Sequence, residues 1–422
     1  CSFVGYQEIS ARSQVKALIV EGAFVDKIEE GQEAEILLDQ TPFYPEKGGQ
    51  VADIGTISTQ DARFIVKDCK SPYPDVIVHI GKMEKGTLSL KESVLTEIDF
   101  KRRQKIANHH TATHLLHYAL QKVLGSHIRQ SGSLVEPERL RFDFNHHKAL
   151  DSHEIRKIEE LVNEKVRQDS PVKVYEISYE EAQKQSDIKQ FFGDKYGHKV
   201  RVVEAEESKE LCGGTHTHRL GTIGLFRILK ESSIAAGVRR IEAAVGKDAE
   251  AFMYSQEDLA LAAAATLRVP VAKLVEKVSF LSEENKKFSG ALKNYKRAAI
   301  KELALELAKK ARRVDDLPLL TALVPLDPED LIPLSEDLIA ALESLVLILA
   351  CKAEGRCQLF VKVTPDLVQK GLSASAIVKE IASCIGGSGG GKADSAQAGG
   401  KLSEGIEQAF QKAEQLLAAW TS

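Results

Sequence analysis

The sequence predicts an α+β protein of several parts: an N-terminal antiparallel β-barrel, an α+β core, a long helical hairpin and a small C-terminal α/β domain. Three observations carry that expectation. Short alternating segments crowd the beginning of the chain, strands and helices mix without a βαβ repeat through the middle, and beyond Gly246 the composition turns to Ala, Leu, Lys and Glu. At 422 residues the chain is longer than one core usually organises. The expected boundaries are 1–97, 98–247, 248–313 and 314–422.

From Phe3 to about Leu95, segments such as VKALIVEG, EAEILLDQ, ARFIVKDC and DVIVHIGK are separated by Gly, Pro and Asp turns, the spacing of a small antiparallel barrel or sandwich. Within it, Thr41 to Gln50 (TPFYPEKGGQ) is a loop whose glycines allow close backbone approach. Arg102 to Val123 is expected to be helical, with Ile106, Leu115, Leu116, Ala119, Leu120 and Val123 as its apolar contacts. HIRQSGSLV and RLRFDFNH read as strands, Ser152 to Arg167 as a charged helix, and SYEEAQKQ as a helix opened by a Ser cap. KVRVVEA, GLFRILKE and GVRRIEAAVG are strand-like. One helix is expected from about Asp248 to Leu267 and a second from Pro270 to about Arg313. The second carries a heptad seam of Leu274, Val278, Leu281, Asn285, Phe288, Leu292, Tyr295 and Ala299. LPLLTALV, SLVLILACK and CQLFVKV supply strands for the last domain.

Composition excludes several classes. Hydrophobic residues at 43% and charged residues at 28% are ordinary for a globular protein, and no apolar run approaches the roughly 20 residues of a spanning helix. No membrane partner is expected. Six cysteines are too few for a disulfide scaffold at this length, so the expected compartment is reducing and cytoplasmic. No signal peptide is visible, and Cys1 in place of Met points to a fragment of a longer protein. A net charge of -4 leaves nucleic-acid binding to local patches such as Lys101 to Lys105 and Arg239-Arg240.

Two motifs carry chemistry. His110-Thr-Ala-Thr-His114 places two imidazoles one turn apart on one helix face, and Cys212-Gly-Gly-Thr-His216 can converge on the same ion at a turn. His109, His117 and His218 compete as donors. Imidazole and thiolate without carboxylate favour zinc. The position after His110 is Thr111, so the general base of an HExxH protease is missing. Four protein ligands also fill a tetrahedron, the usual mark of a structural site. The run Gly386 to Lys392 matches a phosphate-binding loop until Ala393 replaces its Ser or Thr, and the segment before it reads as a helix, so nucleotide hydrolysis is rejected there. A flexible glycine loop, or a backbone surface lying against RNA or another subunit, are the expectations instead.

The stretches TPFYPEKGGQVADIG, HHTATHLLHYAL, IRQSGSLV, LCGGTHTHRLGTIG and SSIAAGVRRIEAAVG resemble the editing domain of alanyl-tRNA synthetases, and GGSGGGKADSAQAGG resembles that family's C-terminal domain. The resemblance implies an aminoacyl-tRNA deacylase that hydrolyses mischarged Ser-tRNA(Ala) and Gly-tRNA(Ala). The parent protein would be an alanine–tRNA ligase whose aminoacylation domain is absent here. It implies zinc on His110, His114, Cys212 and His216, and active-site roles for Thr113, Gln130, Ser133 and Gln50. Arg239, Arg240 and Lys392 would contact tRNA(Ala), the terminal domain would bind the tRNA elbow and mediate a homodimer, and DNA is not a partner. The alternatives are a non-catalytic zinc-stabilised tRNA-binding module and a free-standing long alanine-editing protein.

Overall fold

The computed structural model describes residues 1–190, 197–314, 317–353 and 355–421. They form two compact units, Cys1–Ala263 and Ala264–Ser422. The first begins with a six-stranded antiparallel barrel. Ser10–Val20, Glu33–Leu38, Val76–Lys85, Arg63–Tyr73, Gly55–Ser58 and Ser93–Ile98 follow one another around it, and the last pairs back on the first. That closing pair decides between the barrel and the sandwich. Alternation turns Val15, Leu18, Ile36, Phe64 and Val94 inward, and closure removes the exposed edges that an open sheet would leave.

The remainder of this unit is a second core. Gln130–Val135, Leu140–Asn145, Val238–Val245 and Phe226–Ala235 form an antiparallel sheet in that order. Helix α1 (Phe100–Leu124) and helix α2 (Ser152–Gln168) cover it, joining Leu115, Leu116, Leu120, Ile158 and Val162 to Phe142 and Phe226. A smaller sheet of Lys173–Ser178, Lys199–Ala205 and Ser208–Leu211 lies beside it. Its connection carries α3 (Tyr179–Lys184), which opens with a Ser178 and Glu181 capping box.

Helix α1 is held at its start by Asp99, whose carboxylate accepts from the Arg102 amide at 3.0 Å. One turn further in, buried Arg103 pairs with Asp53 and also donates to the carbonyls of Gly5 at 2.7 Å and Pro42 at 2.8 Å. A buried pair survives desolvation only with such extra partners, and here those partners bolt the helix to the barrel loops. The loop ending at Gln50 is tied in turn to Gln130–Val135, because the Val135 amide donates to the Gly49 carbonyl at 2.7 Å. The segment carrying His110 therefore has a fixed register against the barrel.

Helix α4 (Gly246–Leu267) continues directly from the sheet strand Val238–Val245. In the second unit, helix α5 (Leu274–Ala308) leads to a six-stranded sheet. Its order is Arg312–Val314, Leu317–Val324, Val346–Ala353, Arg356–Val363, Ser395–Gly400, Ser388–Gly391, with Leu317–Val324 and Val346–Ala353 parallel. One face is covered by α6 (Leu331–Leu342) and the end of α5, through Ile300, Ala304, Leu334 and Leu338. After the short α7 (Pro365–Gln369), helices α8 (Ala374–Ile381) and α9 (Ile406–Thr421) cover the other, through Ile377, Ile381, Phe410 and Ala413.

Two expectations need correction. The long helix ends at Ala308 rather than near Arg313, because Arg312–Val314 takes up antiparallel pairing with Leu317–Leu319, a tertiary gain that outweighs helix propensity. The glycine run is not a free loop: Ser388–Gly391 is an edge strand paired with Ala396–Gly399. A Cβ at Gly389 would stand 2.4 Å from Val378 Cγ1, so part of the run is explained by close packing on α8.

Candidate metal centre

The elements converge on one cavity of about 1250 Å³ in the first unit. Helix α1 presents His110 and His114 into it, and the turn after Ser208–Leu211 presents Cys212. The Nε2 atoms of His110 and His216 each lie 3.3 Å from Cys212 Sγ, and the four donors of His110, His114, Cys212 and His216 lie within 4.8 Å of one another. Zinc bonds of about 2.0–2.3 Å give tetrahedral edges of roughly 3.3–3.7 Å, so the two thiolate contacts already have the required spacing.

The far side of two rings is occupied. His110 Nδ1 lies 2.8 Å from Gln50 Oε1, and His216 Nδ1 lies 3.1 Å from Thr111 Oγ1. With Nδ1 engaged, Nε2 keeps its lone pair for a cation, the arrangement seen around metal-bound histidines. Burial, with the neighbouring His114 imidazole, pushes His110 down to about 3, and burial also lowers His114 and His216. All three rings are therefore neutral near pH 7, the form that ligates metal. His109 faces elsewhere, accepting from the Val245 amide at 3.2 Å, and His117 Nδ1 lies 2.9 Å from Glu210 Oε1. The donor set thus fits zinc by number, softness and protonation.

The turn Cys212 to Gly214 has its own scaffold. Arg201 Nη1 donates to the carbonyls of Cys212 at 2.9 Å and Gly214 at 2.8 Å, its guanidinium lies 4.1 Å from the centre of the Tyr6 ring, and Tyr6 donates to the Gly213 carbonyl at 2.5 Å. A Cβ at Gly214 would meet His110 Cε1 at 2.0 Å, so only glycine lets this turn approach the helix.

Thr113, Gln130 and Ser133 line the same cavity. Thr113 spends its hydroxyl proton on the His109 carbonyl at 2.9 Å, and Gln130 Nε2 donates to Ser133 Oγ at 3.3 Å. Gln50 lies behind His110, fully buried, with Nε2 donating to Thr215 Oγ1 and Oε1 accepting from the Thr215 amide. Arg239 and Arg240 project from Val238–Val245 into ion pairs with Glu231 and Asp143. Lys392 is exposed beside the glycine strand of the second unit. The sequence reading missed Arg201, Tyr6 and Glu210, whereas the glycines of the Cys212 motif were already read as a turn. Of these, Glu210 left a signal, as an acidic residue two positions before Cys212.

Family models match three segments: tRNA synthetases class II (A) over residues 1–102, the threonyl and alanyl tRNA synthetase second additional domain over residues 200–242, and the DHHA1 domain over residues 318–419. Among curated relatives, the alanine–tRNA ligase of Fervidobacterium nodosum is 42% identical over 418 residues, which is 98% of this chain and 48% of that protein. Those of Dehalococcoides mccartyi and a Roseiflexus species are 40% and 41% identical, over 97% and 99% of this chain and 47% and 49% of those proteins. A solved C-Ala domain from Aquifex aeolicus alanyl-tRNA synthetase has 24% identity and a TM-score of 0.24, covering 26% of this chain and 97% of that one. The chain spans about half the length of the curated relatives it matches. With such identity along nearly all of its length, the chain belongs to the alanyl-tRNA synthetase family.

Proposed function

We propose that the first unit hydrolyses mischarged Ser-tRNA(Ala) and Gly-tRNA(Ala) in the cavity above the histidines and Cys212, with zinc held by His110, His114, Cys212 and His216. The observation that carries this reading is one cavity lined by Thr113, Gln130, Ser133 and three members of a cation-ready donor set, His110, His114 and Cys212. An aminoacyl ester is already reactive, so alignment and a polarised carbonyl suffice. Bound zinc supplies positive charge that polarises a carbonyl or acidifies a water. For serine, the chain's own residues supply selection against alanine. Because the Thr113 hydroxyl proton is committed to the His109 carbonyl, its oxygen is left as an acceptor for a serine hydroxyl, which the alanine methyl cannot satisfy. Gln130 and Ser133 orient the substrate from the wall, and Gln50 acts through His110.

Further parts of the reading concern the whole chain. We assign 1–97 to a barrel, 98–247 to the editing core, 248–313 to a helical connector and 314–422 to a domain that binds tRNA(Ala) through Lys392 and forms a homodimer, in a cytoplasmic protein. Among the described residues, no helix is long and apolar enough to cross a membrane. In the parent protein this half would proofread for an alanine-activating half. Arg239 and Arg240, to reach tRNA, must exchange Glu231 and Asp143 for phosphate. A second reading, a zinc-stabilised tRNA-binding module without catalysis, is favoured by the four-donor set, which fills a tetrahedron.

The deciding experiment offers matched Ala-, Ser- and Gly-tRNA(Ala) to the protein, with and without chelator. The proposed function expects loss of serine and glycine esters and survival of the alanine ester. Salt-sensitive tRNA binding with every ester intact selects the second reading.

A further inference from the structure

We infer that Glu210 is the positioning residue for His114, completing a set in which every histidine of the metal centre is oriented from behind by a side chain. This rests on the zinc reading above. His110 has Gln50 at its Nδ1 and His216 has Thr111. His114 Nδ1 is buried and without a hydrogen bond, and it faces Glu210 Oε2 at 3.5 Å. Glu210 is 1% exposed, and its other oxygen lies 2.9 Å from His117 Nδ1 and 3.4 Å from Lys189 Nζ.

The chemistry follows from the geometry. A carboxylate accepts but does not donate, so a close Glu210 selects the His114 tautomer with the proton on Nδ1 and leaves Nε2 as the free donor. It also supplies charge. A divalent cation with one thiolate leaves a net positive charge in a buried site, and Glu210 offsets it where solvent cannot. His117 and Lys189 fix the carboxylate from the opposite side, so that it does not rotate away from His114. The chain explains its place: Glu210 lies on the strand Ser208–Leu211 and Cys212 opens the turn that follows it, so one short segment brings both the thiolate and the histidine's partner to the site.

The test measures zinc affinity by competition with a chromophoric chelator, and the visible ligand-field spectrum of the cobalt(II)-loaded protein, for wild type, Glu210→Gln and Glu210→Ala. Partners of this kind are worth about 10–100-fold in metal affinity. The amide, which still accepts but carries no charge, is expected near the lower figure and alanine near the upper, with a changed cobalt spectrum in both. Circular dichroism identifies any variant that fails to fold, and Glu210→Asp, which keeps the charge on a shorter arm, then carries the test with an affinity between wild type and Gln. Wild-type affinity and an unchanged cobalt spectrum in the folded variants overturn the role of Glu210 and leave the zinc reading standing. A wild type that takes up neither metal overturns the zinc reading, and the inference with it.

Discussion

Helix α1 buries histidines and threonines, whereas α5 leaves Phe288 at 67% and Tyr295 at 76% exposure in solvent. The two depart from the usual pattern in opposite directions. On α1 the buried polar groups mostly have hydrogen-bond partners, with His114 Nδ1 the exception. Thr111 and Thr113 donate to carbonyls one turn back, His109 meets the Val245 amide, and His110 and His117 meet Gln50 and Glu210. On α5 the heptad seam from Leu274 to Ala299 is exposed over most of its length among the described residues, and burial within its unit begins at Ile300. A buried polar face that is satisfied marks a site made by the fold itself. An exposed apolar face marks work that the unit does not finish alone.

The largest test of this contrast is Cys212→Ala. If α1 is polar because it holds a metal, zinc affinity falls by more than the roughly 100-fold that an outer partner is worth, and deacylation of Ser-tRNA(Ala) is lost with it. Stoichiometric zinc in the variant, measured by elemental analysis, would break the argument. Gly214→Ala comes next. The added methyl would meet His110 at 2.0 Å, and relief by backbone shift is expected to cost about 1–3 kcal/mol, read as a lower urea midpoint, along with weaker metal binding.

Acidification sharpens the contrast further. Burial holds the folded-state value of His110 at about 3, below the ordinary 6.5. The unfolded chain therefore takes up a proton first as the pH falls. Stability from this group is complete above about 6.5 and is lost progressively below it. Amide exchange by mass spectrometry at pH 7 and 5 should show α1 losing protection, while the sheet of the second unit, which holds no histidine, keeps it. The smallest effect belongs to Phe288→Ser. Replacing a side chain exposed in its own unit should change the unfolding free energy, measured by urea titration, by no more than about 0.5 kcal/mol. A large loss of stability at low concentration, regained at high concentration in sedimentation experiments, would mean that a second copy covers the seam.

Much of this molecule was readable in its residues. Alternation gave away the barrel strands, the Ser178 cap stands at a helix start, and the paired motifs singled out the four donors that the structure brings together. The residues that escaped notice act across the fold. Arg201 reaches the Cys212 turn from a neighbouring strand, and Tyr6 reaches the Gly213 carbonyl from the start of the chain. Such partners have no periodicity and no spacing rule. The end of α5 was misplaced for a related reason, since an edge strand forms only when its neighbour is present.

By itself the sequence determined which side chains could bind a soft cation, because donor chemistry and one helical turn of spacing are local properties. Only the tertiary structure decided which ring nitrogen faces the centre and which group stands behind it. Those choices depend on hydrogen bonds between segments that meet after the barrel, α1 and the Cys212 turn have closed on one another.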